Sequence, residues 1–107
     1  NITPMASRRE RRQKRMNIEF TTAAWEELNY WIKFDKAKVE KINELIRSIR
    51  QNPFKGIGSP EPLRHELQGF WSRRIDYEHR LVYRVVGIPG KEYKIQIIQC
   101  RFHYGNK

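Results

Sequence analysis

Glu61, Arg80 and His103 are residues of the types that acid–base chemistry on a phosphodiester requires. Cutting RNA without a metal needs a base for the ribose 2′-OH. It also needs a cation for the charge that builds on the pentacovalent phosphorus, and an acid for the departing 5′ oxygen. The chain holds three histidines, His65, His79 and His103, and Pro60 and Pro62 bracket Glu61, so the carboxylate is expected in a stiff loop. On residue types alone this set is one candidate among several. Glu61 reads as well as a solvated loop carboxylate, His103 as a surface residue near a terminus, and Arg80 as a cross-strand partner of Glu78 or Asp76.

The elements that must position these side chains follow from periodicity. Ile18 and Phe20 alternate as in a short strand over residues 17–21, and Thr22 with Glu26 and Glu27 then supplies a cap and early carboxylates for a helix. Trp25, Leu28 and Ile32 form one apolar stripe. After a second cap at Asp35, Val39, Ile42, Leu45, Ile46 and Ile49 form another. The segment QNPFKGIGSPEPL, with three prolines and two glycines, reads as a loop.

Beyond it, LRHEL, FWSRRID, HRLVYRVVG and EYKIQIIQCRFHY read as four strands. They are joined by Gln68-Gly69, by a turn near Tyr77-Glu78 and by a loop containing Ile88-Pro89-Gly90, which makes an antiparallel meander. The fold class is therefore α+β, with two N-terminal helices on one face of a small, mainly antiparallel sheet. Alternation opposes Leu81, Tyr83 and Val85 to Arg80, Val82 and Arg84, and Ile98, Cys100 and Phe102 to Gln99, Arg101 and His103. Arg80, Arg101 and His103 are thus expected together on a basic face that the helices leave open.

Composition narrows the function classes. A chain of 107 residues has room for one thin-cored domain, and a net charge of +10 favours a polyanionic partner, nucleic acid or an acidic protein. Residues 1–15 carry half of that charge and read as a basic disordered arm, or as an extension added upstream of a natural start at Met16. Residues 16–107 form the domain. A single cysteine, Cys100, rules out an internal disulfide and the usual cysteine-rich zinc site, and reads as a small buried apolar residue. Without a membrane span or a secretory signal pattern, the expected compartment is the cytoplasm. His65 and His79 read as structural or substrate-adjacent. Trp25, Trp31, Phe70, Trp71 and Tyr83 read as core or dimer contacts rather than base-stacking platforms.

The run NPFKGIGSPEPLRHELQGFWSRRIDYEHRLVYRV, followed by CRFHY, resembles the YoeB (Txe) branch of the RelE toxin superfamily, and the likeness extends back through EELNYW and VEKINELI. It covers Met16 to about Tyr104, with the PEPL, GFWSRRI, EHRLVY and C-R-aromatic-HY blocks in order. The resemblance implies a RelE-like fold and a ribosome-dependent, cofactor-free and metal-independent messenger-RNA endoribonuclease acting in the A site. The implied partner is a YefM-like antitoxin that disturbs or covers the active site, and a homodimer is compatible with the family and the exposed aromatics.

By motif, Glu61 is implied as general base, Arg80 as the transition-state cation and His103 as general acid. Tyr104 is implied to orient substrate, while Arg64 and Arg74 match basic positions of the motifs and join Arg101 as candidate substrate-binding residues. The implied products are a 2′,3′-cyclic phosphate and a 5′-hydroxyl. Two departures stand out: Gly105, Asn106 and Lys107 follow the His-Tyr pair, and the loop from Gly87 to Glu92 is longer than usual. Two other readings are a toxin of the same fold acting on DNA gyrase, as in the ParE branch, and a non-catalytic basic RNA-binding protein. ParE members lack the Glu, Arg and His set.

Overall fold

The protein is described by a computed structural model over residues 16–88 and 91–103. The basic arm of residues 1–15, loop residues 89–90, Tyr104 and the last three residues lie outside the described residues. The elements are β1 (Met16–Phe20), α1 (Thr22–Phe34), α2 (Lys36–Gln51), β2 (Glu61–Pro62), a 3-10 turn (His65–Leu67), β3 (Trp71–Arg74), β4 (Arg80–Gly87) and β5 (Tyr93–Gln99). The strands form one sheet in the order β1-β5-β4-β3-β2. β2 to β5 pair antiparallel, as the meander requires, and β1 joins the far edge parallel to β5.

Both helices begin at side-chain caps. Thr21, one residue before the expected cap, accepts from the Ala24 amide, and the first turn holds no carboxylate. Asp35 both ends α1 and caps α2 by accepting from the Ala37 amide, so a single residue turns the chain between helices. In α2 the apolar stripe is as the periodicity implies, with Ile42, Leu45 and Ile49 fully buried. In α1 the helix is rotated. Ala24 and Trp31 face the core, whereas Trp25 and Ile32 are about half exposed. Trp31 turns inward because its indole N–H meets the Cys100 carbonyl at 2.8 Å, a partner that no local pattern in α1 encodes.

The helices cover the face of Leu81, Tyr83, Val85, Ile95 and Ile97, each side chain of this kind contributing about 1.5–3 kcal/mol on full burial. Cys100 is buried in this core, and burial pushes its thiol up to about 12, so it stays protonated and inert. Among the described residues no helix is long and apolar enough to cross a membrane.

The structure corrects two of the four expected strands. LRHEL is not one: His65 sits in the left-handed region (φ 58°) and opens a 3-10 turn, and the pairing segment is Glu61–Pro62, bonded to β3 through Ser72 and Trp71. Glu61 therefore belongs to a short edge strand rather than to the preceding loop. The last strand stops at Gln99, because the Cys100 amide turns away from the ladder to the Glu27 carboxylate at 2.8 Å.

Candidate active site

Strand register assembles the open face row by row. Glu61 pairs with Ser72, Ser72 with Val82 and Val82 with Gln99, so these side chains share one face; Arg74 and Arg80 form the next row on that same face. Glu61 and Arg80 stand two strands apart and two residues along, a backbone separation of about 12 Å from strand spacing and rise. A further row carries Arg84, which lies over Phe70 at 5.3 Å and donates to Gln96, itself bonded to Glu19.

Arg80 is 8 % exposed. Its Nη1 donates to the carbonyls of Asp76 (2.8 Å) and His79 (3.1 Å), which grip the guanidinium from the turn behind it, while Nε and Nη2 have no acceptor among the described residues. The alternative pairing with the carboxylates of Asp76 or Glu78 is not what holds it. The Asp76 carboxylate instead takes the amides of Glu78 and His79 and the Lys38 ammonium at 2.9 Å. Desolvation acts to raise that carboxyl, but the His79 amide, Lys38 and the Glu78 amide outweigh it and hold it at about 2.

The tail beyond β5 is docked atom by atom. Cys100 donates to Glu27 and accepts from Trp31; Phe102 donates its amide to His79 Nδ1 at 2.7 Å and accepts from the Arg80 amide at 3.0 Å and from Gln99 Nε2. Burial pushes the Glu27 carboxyl up, with the Cys100 and Arg101 amides opposing it. Phe102 is left-handed, φ 69°. Because its carbonyl sits on the Arg80 amide, the next residue, half-buried His103, begins one peptide away from the Arg80 backbone.

Below the site lies a buried guanidinium that the strand pattern alone did not single out. Arg73 has no exposed surface and points to the helix side. Nε donates to Tyr83 Oη (3.0 Å), Nη1 to Ser48 Oγ (2.7 Å) and the Ile57 carbonyl (3.1 Å), and Nη2 to the Asn52 (2.8 Å) and Lys55 (3.0 Å) carbonyls. Every one of its five N–H groups is thereby used. With Tyr83 Oη donating to Pro53 and Arg74 donating its amide to Gly58, it folds residues 52–58 into the platform that delivers Glu61.

A family model described as a YoeB-like toxin of bacterial type II toxin-antitoxin systems matches residues 20–104. The toxin YoeB of Escherichia coli (strain K12) is 48% identical over 89 residues, which is 83% of this chain and all of that one. The chain belongs to the YoeB toxin family. A YoeB/ParE toxin from Agrobacterium tumefaciens superposes with a TM-score of 0.79 at 47% identity, covering 83% of this chain and 100% of that one. YoeB of Staphylococcus aureus has been solved as a dimer (TM-score 0.74, 46% identity, 84% and 99% coverage) and as a heterotetrameric YoeB–YefM toxin-antitoxin complex (0.72, 46%, 83% and 98%).

Of the YoeB-type residues named from sequence, register and the docked tail bring Glu61, Arg74, Arg80 and the backbone of His103 to one side of the sheet. Arg64 is exposed at the start of the 3-10 turn, next to that side, and Tyr104 lies outside the described residues. Arg101 is elsewhere than alternation implies. With the strand over at Gln99, its guanidinium stacks 3.5 Å from the Tyr30 ring and 4.4 Å from Phe102, and its buried Nε has no partner among the described residues. It clamps the tail to α1 rather than flanking Arg80. A sequence signal for Arg73 was available, since alternation sets it between Trp71 and Ile75 as a charge in an apolar row. Glu27, Trp31 and His79 carry no such signal, because their partners are backbone groups distant in sequence.

Proposed function

We propose that this chain is a metal-independent endoribonuclease that cuts messenger RNA in the ribosomal A site and thereby stops translation. Glu61 takes the proton of a ribose 2′-OH, whose oxygen attacks the adjacent phosphorus. The Arg80 guanidinium holds the charge on the phosphorane oxygens, and the P–O5′ bond breaks as His103 protonates the leaving oxygen, giving a 2′,3′-cyclic phosphate and a 5′-hydroxyl. Arg64 and Arg74 hold flanking phosphates, and Tyr104 orients the substrate. A YefM-like antitoxin neutralises it by disturbing or covering this face, and the existence of a YoeB–YefM complex from Staphylococcus aureus supports such a partner. Dimerisation and a cytoplasmic location belong to the same reading.

The observation that carries the proposal is the state of Arg80, a nearly buried guanidinium held from behind by two carbonyls with Nε and Nη2 left over, in a row next to Glu61 and one peptide from His103. A guanidinium fixed from behind by two carbonyls, with its remaining N–H groups not sealed from solvent, is preorganised to receive an anion on that side.

The test is primer extension on a reporter message in a translating extract. Wild type is expected to leave cuts within A-site codons with 5′-hydroxyl ends, and Glu61→Gln or His103→Gln to leave almost none. Undiminished cutting by both variants overturns the roles. Inhibition of gyrase supercoiling with no cut message overturns the activity.

A further inference from the structure

The turn between β3 and β4 does more than reverse the chain, because one of its residues touches both the cation and the tail. The His79 carbonyl accepts from Arg80 Nη1 at 3.1 Å, and the His79 imidazole accepts from the Phe102 amide through Nδ1 at 2.7 Å. The ring stands edge-on to Trp31 with centroids 4.8 Å apart, and that indole holds the Cys100 carbonyl two residues before Phe102. The turn is itself bolted to α2, since Asp76 accepts from the His79 amide at 2.6 Å and from Lys38 at 2.9 Å.

Phe102 needs this support. A non-glycine residue in the left-handed region costs on the order of 1–3 kcal/mol and persists only where its surroundings over-determine it. Here its N–H is taken by His79 and its C=O by Arg80 and Gln99. The left-handed turn redirects the chain immediately before His103. Ser59 and His65, the other non-glycine residues with positive φ among those described, likewise sit two residues before Glu61 and one after Arg64.

We infer that His79 is a positioning residue. By accepting the Phe102 amide while its own carbonyl grips Arg80, it holds the imidazole of His103 and the guanidinium of Arg80 in one frame. This rests on the proposed roles of Arg80 and His103 and extends them to a residue that does not touch substrate. To accept an N–H, Nδ1 must be unprotonated, so the neutral ring carries its proton on Nε2.

The test compares His79→Leu, which keeps bulk but removes the acceptor, with His79→Asn, whose side-chain oxygen reaches nearly where Nδ1 sits. At saturating ribosomes, His79→Leu is expected to lower the cutting rate roughly tenfold to a hundredfold, the scale of misplacing a reacting group by about an ångström, with KM little changed. The Phe102 amide is expected to exchange faster in the same variant, and His79→Asn to restore both rate and protection to within a few-fold of wild type.

Cutting by His79→Leu at the wild-type rate overturns the inference, as does equal loss in both variants with the Phe102 amide still protected. If His79→Leu does not fold, imidazole nitrogen shifts of the wild-type chain decide. A proton on Nε2 with a protected Phe102 amide upholds the inference, and a proton on Nδ1 or free exchange at Phe102 overturns it. A wild-type chain that cuts no message sinks the reading of the whole site. Normal wild-type cutting with an unaffected His79→Leu sinks this inference alone.

Discussion

Arg73 and Arg80 lie on neighbouring strands, pair their backbones with residues one step apart, and are both withdrawn from solvent. They differ in what their donors meet. On the helix side, Arg73 finds five acceptors and binds the end of α2, Tyr83 and the 52–57 backbone into one body. On the open side, Arg80 is matched only through Nη1. The same side chain is thus an internal brace where five acceptors enclose it and a candidate anion site where two of its nitrogens lack an acceptor among the described residues and are not sealed from solvent.

Substitutions separate the two. The largest effect is expected for Arg80→Met, which removes the cation proposed to hold the phosphorane's charge. Cutting falls by about 10²–10³, or about 2.7–4 kcal/mol of barrier, while the thermal midpoint moves little. Arg73→Met is expected to do the reverse. Stability falls by about 3 kcal/mol as the Asn52, Lys55 and Ile57 carbonyls lose their donors, and cutting per folded molecule stays within a few-fold, read by chemical denaturation alongside single-turnover assays. A large rate loss in Arg73→Met with unchanged stability would erase the distinction between the two arginines.

Gly58→Ala attacks the brace from its loop. Gly58 has φ 82°, and an added Cβ would meet Leu45 Cδ2 at 2.6 Å, so a loss of about 2 kcal/mol is expected in a melting experiment. Asp76→Asn weakens the turn that holds Arg80, and the expected loss is about 1–2 kcal/mol at neutral pH. Here the sign follows from linkage. The folded carboxyl titrates at about 2 against an ordinary 3.8, so its contribution is complete above the unfolded value and fades as pH falls towards 2. The stability gap between wild type and Asp76→Asn is therefore expected to close between about pH 4 and 2. A gap independent of pH there would show that the carboxylate charge contributes nothing.

Much of this was legible along the chain. The apolar stripe of α2 and the cap at Asp35 depend on neighbours within a turn or two, and they appear in the structure as periodicity implies. In β4, by contrast, Arg80 and Val82 are buried along with Leu81 and Tyr83, so burial there does not alternate. Where reading failed, a distant partner had overridden a local preference. Trp31 displaced Trp25 from the core because the Cys100 carbonyl awaited its N–H, and β5 ended at Gln99 because Glu27 took the next amide. Arg101, carried past that end, fell onto Tyr30 instead of the open face.

By itself the sequence determined the α+β class, the strongly positive net charge and, through its motif blocks, the membership in the YoeB family, and it offered the residues proposed here to carry chemistry. All of these are carried by residue types and short-range spacing. Only the tertiary structure decided which arginine is fully bonded and which is not, and how the tail reaches Arg80 through His79, Trp31 and Glu27. Those contacts join groups 20 to more than 70 positions apart, such as Phe102 with His79 and Cys100 with Glu27. No local propensity encodes a hydrogen bond whose partner is set by the packing of the whole domain.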